Sequence, residues 1–156
     1  GHSERRTLFH ESNQVISKKL IQANKYSLVP ILCIGESAEE YQDNITHEIL
    51  HQQILEALNG SIEITSLIIA YEPVWAIGTG LTATPEQAQE THLNIRTWLK
   101  ENVSESVANA VRIQYGGSVN DENAKELGNM ADIDGFLVGG ASLDAGKFST
   151  IYHAFD

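Results

Sequence analysis

The sequence has little cysteine and little positive charge. Its 156 residues include one cysteine, Cys33, so no disulfide can form within the chain. Lysine and arginine number 10 against 21 aspartates and glutamates, which gives a formal net charge of −11. Such a chain would be repelled by nucleic acid and by anionic membrane surfaces, so we expect neither as a partner. No apolar stretch approaches the roughly 20 residues of a membrane-spanning helix.

The single cysteine and the absence of a visible signal peptide predict a cytoplasmic protein. Cys33 lies in the apolar run 29–34, so we expect it to be a small buried side chain. The composition, 42% hydrophobic and 20% charged, is typical of a soluble globular chain. We expect residues 1–156 to belong to one domain.

Four apolar runs have the length of β-strands. They are nearly continuous in apolar character, which is typical of parallel strands covered on both faces: 29–35, 66–71, Arg112–Tyr115 and 135–138. Stretches with helical spacing separate them, with apolar faces at Leu50, Ile54 and Leu58 and at Ala88, His92, Ile95 and Leu99. This alternation predicts an α/β fold with a parallel sheet, either open or closed into a barrel.

Two helix starts can be read directly. Thr84 precedes Pro85 and stands three residues before Gln87, which is the pattern of a capping box with proline at the first helical position. Asn120 is followed by Asp121 and Glu122, whose carboxylates would favour the first turn of a second helix.

Polar residues and glycines come directly after the apolar runs. In parallel α/β folds the functional groups lie at this edge, where strands end and helices begin. The junctions are His2-Ser3-Glu4, Gly35-Glu36-Ser37, Glu72-Pro73, Gly116-Gly117-Ser118 and Gly139-Gly140.

Glu72 is the strongest candidate for a catalytic group. It stands at the mouth of an apolar strand, where partial desolvation raises the pKa of a carboxylate and makes it a better base. A solvated carboxylate or a salt bridge is the alternative. The segment 73–80, which we call the predicted lid, begins with proline and has two glycines at its other end. The residues between them are too apolar for a solvent-exposed loop without a function, so we expect this segment to close over a ligand.

The glycine pairs at two successive junctions predict a phosphate site. Glycine lets the backbone approach a ligand closely, and the N–H groups at a helix start attract an anion. His2 would precede a helical turn whose dipole favours a neutral imidazole, so it is a candidate acid or electrophile beside Glu72.

These segments together resemble the triosephosphate isomerase family. The resemblance covers the whole chain in order and is carried by GHSERR at 1–6, PILCIGES at 30–37, AYEPVWAIGTG at 70–80, YGGSV at 115–119 and DGFLVGGASL at 134–143. It implies a (β/α)8 TIM barrel that interconverts dihydroxyacetone phosphate and D-glyceraldehyde 3-phosphate in glycolysis and gluconeogenesis. It also implies no cofactor, no metal, and a homodimer.

The resemblance assigns roles by position. His2 matches the neutral electrophile and Glu72 the general base. Glu4 matches the acidic residue beside a catalytic lysine, and Tyr115 matches a residue that holds the closed lid. The matches to phosphate ligands are Gly78, Ser118, Gly139 and Gly140, and Ser118 also matches a lid contact.

The family also uses an asparagine and a lysine at the end of its first strand. The chain resembles the C-terminal part of the barrel, from the end of the fourth strand onward, with the first strands missing. We therefore expect a polypeptide limited to these residues to be inactive.

Three alternatives compete with this interpretation, and the dinucleotide site among them is discounted. His47-Glu48-Ile49-Leu50-His51 fits the H-E-x-x-H pattern of zinc peptidases, although no third ligand occurs at the metzincin spacing. The glycines from residue 78 fit a loose dinucleotide fingerprint, without a preceding strand or a suitable acidic residue. The third alternative is a phosphate-binding fragment without catalysis.

Overall fold

The computed structural model describes residues 1–59, 64–77 and 82–156. Its sheet contains four parallel strands in the order β1-β2-β3-β4: β1 (Ile31–Ile34), β2 (Ile68–Tyr71), β3 (Arg112–Tyr115) and β4 (Gly135–Phe136). The predicted parallel α/β sheet is confirmed, with β4 shorter than its apolar run. Neighbours in sequence are neighbours in space throughout, as in a (β/α)8 barrel and unlike a doubly wound sheet, whose strand order reverses.

Helices fill the connections between the strands. They are α1 (Ser3–Phe9), α2 (Asn13–Lys25), α3 (Ala38–Gln42), α4 (Thr46–Ala57), α5 (Pro85–Asn102), α6 (Glu105–Ala110), α7 (Ala124–Gly128) and α8 (Ala145–Tyr152). Short 3₁₀ turns occupy Ile64–Ser66, Val74–Ala76, Gly140–Leu143 and His153–Phe155. Within the described ranges, no helix is both long enough and apolar enough to cross a membrane.

The core lies between the sheet and its helices. The predicted apolar face of α5 is confirmed, because Ala88, His92, Ile95 and Leu99 are all fully buried. On α4, Leu50 and Ile54 are equally buried, while Leu58 caps the helix and is partly buried. The strands contribute buried side chains from both faces of the sheet: every residue of β2 is buried, and Ile34 of β1 and Ile113 of β3 are buried beside it.

The start of α5 has the predicted capping box. Thr84 Oγ1 accepts from the backbone N–H of Gln87 (3.2 Å), and Gln87 Oε1 accepts from the backbone N–H of Thr84 (2.9 Å). Replacing Thr84 with alanine is expected to lower the free energy of unfolding by about 1 kcal/mol, since one helical N–H loses its partner. Urea denaturation measures the change. Thr97→Ala, on the exposed face of α5, is the control and should not be destabilising; equal midpoints for the two variants would contradict the cap's contribution.

The helix predicted at Asn120 begins later. Asn120 Oδ1 accepts from the backbone N–H groups of Glu122 (2.9 Å) and Asn123 (3.0 Å), so its side chain closes a turn. Regular helix starts only at Ala124. The acidic residues at 121 and 122 therefore lie in that turn, because an asparagine side chain competes with the helix for local N–H donors.

His92 is buried without charge inside the helix layer. Its Nδ1 lies 2.7 Å from the carbonyl of Ala88, and its ring packs against Tyr71 and Tyr115. Burial lowers the pKa of His92 from its ordinary value of 6.5 to about 4. Between these values the unfolded chain binds a proton that the folded chain does not, so stability falls as the pH falls from 6.5 to 4.

We expect this one residue to cost about 3 kcal/mol of unfolding free energy between pH 7 and pH 4. His92→Leu replaces the titrating group with an apolar side chain of similar size. The free energy of unfolding of this variant should therefore decline less steeply than that of the wild type over the same pH range. Urea denaturation at several pH values compares the two slopes. Parallel slopes would show that His92 does not titrate as its burial requires.

Candidate functional site

Glu72 lies at the carboxyl end of β2, where the sheet continues for one residue beyond its strands. The backbone N–H of Glu72 donates to the carbonyl of Ile34 (2.7 Å), and that of Gly116 donates to the carbonyl of Tyr71 (2.7 Å). These bonds fix the Glu72 backbone between β1 and β3. The Glu72 side chain is only 3% exposed.

His2 and Ser3 contact the two oxygens of the Glu72 carboxylate. The His2 Nε2 atom is 3.0 Å from Oε1, and the backbone N–H of Ser3 donates to Oε2 (2.9 Å). His2 also caps α1, since its Nδ1 accepts from the backbone N–H of Glu4 (3.3 Å). A ring nitrogen that accepts carries no proton, so this geometry places the imidazole proton on Nε2, facing Glu72.

The surroundings of Glu72 disfavour its charged form. Burial raises the pKa of the Glu72 carboxyl, and the nearby His2 ring and the Ser3 N–H oppose that rise. The buried thiol of Cys33 lies beside it, and burial together with the Glu72 charge raises the pKa of Cys33 to about 12. Cys33 is thus the small buried side chain that was expected, and its contact with Glu72 could not be read from the sequence.

Arg6 holds the segment that carries His2 against the sheet. Its guanidinium donates to the carbonyls of Gly1 (2.9 Å) and Cys33 (3.0 Å), and to Oδ1 of Asn13 (2.6 Å). One side chain therefore connects the start of the chain, α2 and β1. The position of His2 beside Glu72 depends on these connections.

A cavity of about 820 Å³ opens in front of Glu72 and His2. It is bounded by the loops after β2, β3 and β4, which is the edge predicted from the sequence. Of the predicted site residues, the cavity brings together His2, Glu72, Ser118, Gly139 and Gly140. Glu4 is exposed on α1 and Tyr115 is buried behind the loops, so neither lines the cavity. Gly78 lies outside the described residues.

The chain after each glycine pair differs from expectation. After Gly116-Gly117, no α-helix begins until Ala124, and Gly139-Gly140 leads into the short 3₁₀ turn Gly140–Leu143. A helix does follow each pair, but α7 begins seven residues after Gly117 and α8 five residues after Gly140, so neither α-helix starts at the glycines themselves. An added Cβ at Gly139 or Gly140 would meet nothing within 4 Å, so these glycines leave their backbone open to the cavity.

The first half of the predicted lid packs against Glu36, which sequence reasoning missed. Oε1 of Glu36 accepts from Trp75 Nε1 (2.8 Å), from the Tyr71 hydroxyl (3.0 Å) and from the Thr46 hydroxyl (3.3 Å). The backbone carbonyl of Glu36 accepts from the N–H of Val74 (3.2 Å). The available signal was that Glu36 comes just after a strand, as Glu72 does.

Glu36 is fully buried, and burial raises the pKa of its carboxyl. Its other oxygen, Oε2, has no hydrogen-bond partner among the described residues. The Trp75 ring also stacks on Tyr41, with centroids 4.2 Å apart. The described part of the predicted lid, residues 73–77, is therefore held by a buried polar group and an aromatic stack.

Ser118, in the loop after β3, contacts the predicted lid, and Tyr115, at the end of β3, lies close to the residues that follow it. The Ser118 hydroxyl donates to the carbonyl of Ala76 (3.4 Å). The Tyr115 hydroxyl lies beside the backbone of Ala83, and burial raises the pKa of Tyr115 to about 12. Gly117 packs directly against the Tyr115 ring, where a Cβ would overlap the hydroxyl.

The zinc-peptidase pattern lies away from this cavity. The rings of His47 and His51 are 6.3 Å apart and stacked, and His51 Nε2 is 2.8 Å from Oδ1 of Asn94. His51 stacks on Trp98 as well. In the parts of the chain that the structure describes, no group of three or more histidine, cysteine, aspartate or glutamate side chains is arranged to hold a metal. The glycines of the dinucleotide fingerprint lie outside the described residues.

Comparison with known proteins agrees with the resemblance. A profile of the triosephosphate isomerase family matches residues 1–155. The chain is 56% identical over 157 residues to the triosephosphate isomerase of Entamoeba histolytica, covering 99% of this chain and 60% of that protein. Against the Dictyostelium discoideum protein of the same name, identity is 51%, with coverages of 97% and 59%.

The chloroplastic triosephosphate isomerase of Fragaria ananassa is also similar. It is 49% identical to the chain, covering 99% of this chain and 49% of that protein. The chain thus spans about 60% of the length of the Entamoeba and Dictyostelium relatives and 49% of the Fragaria relative.

Proposed function

Because the chain belongs to the triosephosphate isomerase family, we propose that the protein interconverts dihydroxyacetone phosphate and D-glyceraldehyde 3-phosphate. The reaction moves a proton between two adjacent carbons through an enediolate. The observation that carries the proposal is the 3.0 Å contact between His2 Nε2 and Glu72 Oε1 in a cavity bordered by exposed glycine backbone.

Glu72 takes the role of the base. A carboxylate with a raised pKa removes a carbon-bound proton more readily than a solvated one, and it can return that proton to the neighbouring carbon. In the described geometry the carboxylate is occupied by His2 and Ser3. The carboxylate must therefore break its hydrogen bond with the Ser3 N–H to reach a substrate. Until then, the contacts with His2 and Ser3 keep it beside the cavity.

His2 takes the role of the electrophile. With the imidazole proton on Nε2, the ring can donate to the substrate carbonyl and stabilise the negative oxygen of the enediolate. The cap to α1 keeps the other ring nitrogen occupied as an acceptor, which preserves this tautomer. Glu4 supplies the N–H of that cap, and we propose that its carboxylate supports the site from the side of α1.

The phosphate group is proposed to bind at the far side of the cavity. Ser118, Gly139 and Gly140 line it there, and Gly78 is proposed as a further ligand from the predicted lid. Closure of residues 73–80 would exclude water from the enediolate, which otherwise can expel its phosphate. Tyr115 and Ser118, which contact the flanks of that segment, are proposed to hold the closed state.

The activity is proposed for the whole protein, since the chain spans about 60% of the length of the Entamoeba and Dictyostelium relatives. We expect a polypeptide limited to residues 1–156 to be inactive. We further propose that these residues form part of one barrel domain, that no cofactor or metal takes part, and that the protein is a cytoplasmic homodimer of glycolysis and gluconeogenesis. The chloroplastic relative makes the compartment a separate question, which imaging of a tagged copy answers.

The test is isomerisation of dihydroxyacetone phosphate by the intact protein in D2O. Proton transfer through an enediolate predicts that deuterium from the solvent appears on the carbon next to the product carbonyl, as mass spectrometry measures. Isomerisation without any deuterium, together with an unchanged kcat in the Glu72→Gln variant, would replace Glu72 proton transfer with an internal hydride shift. Phosphate binding without isomerisation would favour the non-catalytic fragment.

A further inference from the structure

Lys147 lines the same cavity as Glu72 and the glycines. It lies in the first turn of α8, and its backbone N–H donates to Oδ1 of the capping residue Asp144 (2.9 Å). The cap fixes the backbone, while the side chain is 54% exposed and extends to the rim. There its Nζ is 3.7 Å from Oδ1 of Asp121, in the loop after β3. The Lys147–Asp121 pair therefore joins the start of α8 to the loop after β3.

Lys147 is conspicuous because of the charge around it. The chain has a net charge of −11, and the cavity is also lined by the carboxyl groups of Glu72 and Asp144. Among the lining residues that the structure describes, Lys147 is the only lysine or arginine. Beyond about 8 Å in physiological salt, charges are largely screened, so an anion at the cavity is affected by Lys147 more than by distant carboxylates.

The pair contributes little to folding. It is half exposed and its closest N–O distance is long for an ion pair, and contacts of this kind add almost nothing to stability. A loose pair leaves Lys147 able to turn towards a second anion. Asp121 then competes with that anion for the ammonium group.

We propose that Lys147 attracts the phosphate group of the substrate to the cavity, and that Asp121 weakens this attraction by pairing with Lys147. The proposal rests on the proposed function for the identity of the anion. Its distinguishing consequence is a difference in sign. Removing the lysine charge lowers capture of a phosphate dianion, and removing the aspartate charge raises it. A merely structural ion pair would give the same sign for both removals.

The experiment measures isomerisation by the intact protein and by Lys147→Gln and Asp121→Asn. At low ionic strength, kcat/KM is expected to fall about five- to tenfold for Lys147→Gln and to rise about twofold for Asp121→Asn, with kcat unchanged in both. Raising the salt from about 0.01 M to about 0.5 M shortens the screening length from about 30 Å to under about 5 Å. The ratio of each variant's kcat/KM to the wild-type value should therefore approach one.

The matched controls are Lys100→Gln and Glu105→Gln. These residues form an exposed pair of 2.7 Å between α5 and α6 and do not line the cavity, so the same charge changes should leave kcat/KM within about twofold. Lys147→Arg keeps the charge and should keep most of the wild-type value. A thermal melt confirms that each variant is folded.

Titration with inorganic phosphate, monitored by calorimetry, separates this inference from the proposed function. Suppose that the wild-type protein binds phosphate but does not isomerise. Weaker phosphate binding by Lys147→Gln and tighter binding by Asp121→Asn would then support the role of Lys147 in attracting the anion, while the proposed isomerase activity would fail. Changes of the same sign in both variants, or no change beyond the controls, would overturn the proposal. A loss in Lys147→Gln that persists at high salt would also overturn it, because attraction through solvent must be screened.

Discussion

Replacing Glu72 with glutamine is expected to lower kcat for isomerisation by about 10²- to 10⁴-fold, the usual contribution of a positioned base. The amide has nearly the same shape as the carboxylate and cannot accept the proton. Its oxygen can still accept from His2 or Ser3, so the fold should persist. Substrate binding should persist too, since the proposed phosphate ligands are on other loops.

The matched control is Glu48→Gln, because Glu48 would be the base if H-E-x-x-H were a zinc site. Glu48 is exposed on α4, outside the cavity, and its variant should keep wild-type activity. Enzyme-coupled rates at saturating substrate give kcat, and phosphate titration gives binding. A loss below tenfold for Glu72→Gln would remove Glu72 from the proposed chemistry.

The strands and the functional edge could be predicted because both depend on local pattern. Parallel strands covered on both faces require continuous apolar runs, and the polar residues that end those runs necessarily face one edge. Glu72 is visible for this reason. The capping box at Thr84 is equally local, since all its hydrogen bonds join residues within three positions.

The features that were missed depend on contacts between distant residues. Glu36 receives hydrogen bonds from residues 10, 35 and 39 positions away, and no single segment contains that pattern. The Lys147–Asp121 pair likewise joins residues 26 positions apart, one in α8 and one in the loop after β3. The late start of α7 has a local cause, but one that composition does not resolve, because an asparagine can cap a helix or close a turn with the same side-chain oxygen.

Gly35 to alanine is the second change for which we expect a large effect. Gly35 comes directly after β1 and lies against the backbone of Glu72, the residue that follows β2. A Cβ added there would overlap the backbone carbonyl of Glu72, and it would lie 3.4 Å from a Val74 side-chain carbon. The obstacle is main chain that is hydrogen-bonded on both sides, so it cannot turn aside as a flexible side chain would.

This overlap has two consequences. The strand ends must separate, and we expect a loss of unfolding free energy at or above the upper end of the about 1–3 kcal/mol that overpacking costs. Glu72 must also move with its own carbonyl, and a displacement of about 1 Å at a catalytic group can cost about 10²-fold in rate. The variant should therefore lose activity well below its melting temperature, where it is still folded.

Gly135→Ala is the control for glycine replacement itself. It lies in β4, and an added Cβ would be in ordinary contact, 3.4 Å from the nearest Gln114 carbon. Thermal melts and kcat measured on both variants separate the general effect of alanine from the effect of displacing Glu72. A Gly35→Ala protein with wild-type stability and wild-type kcat would mean that the ends of β1 and β2 can separate freely. The position of Glu72 would then not depend on the close approach of the two strands, and the base would have to be held by His2 and Ser3 alone.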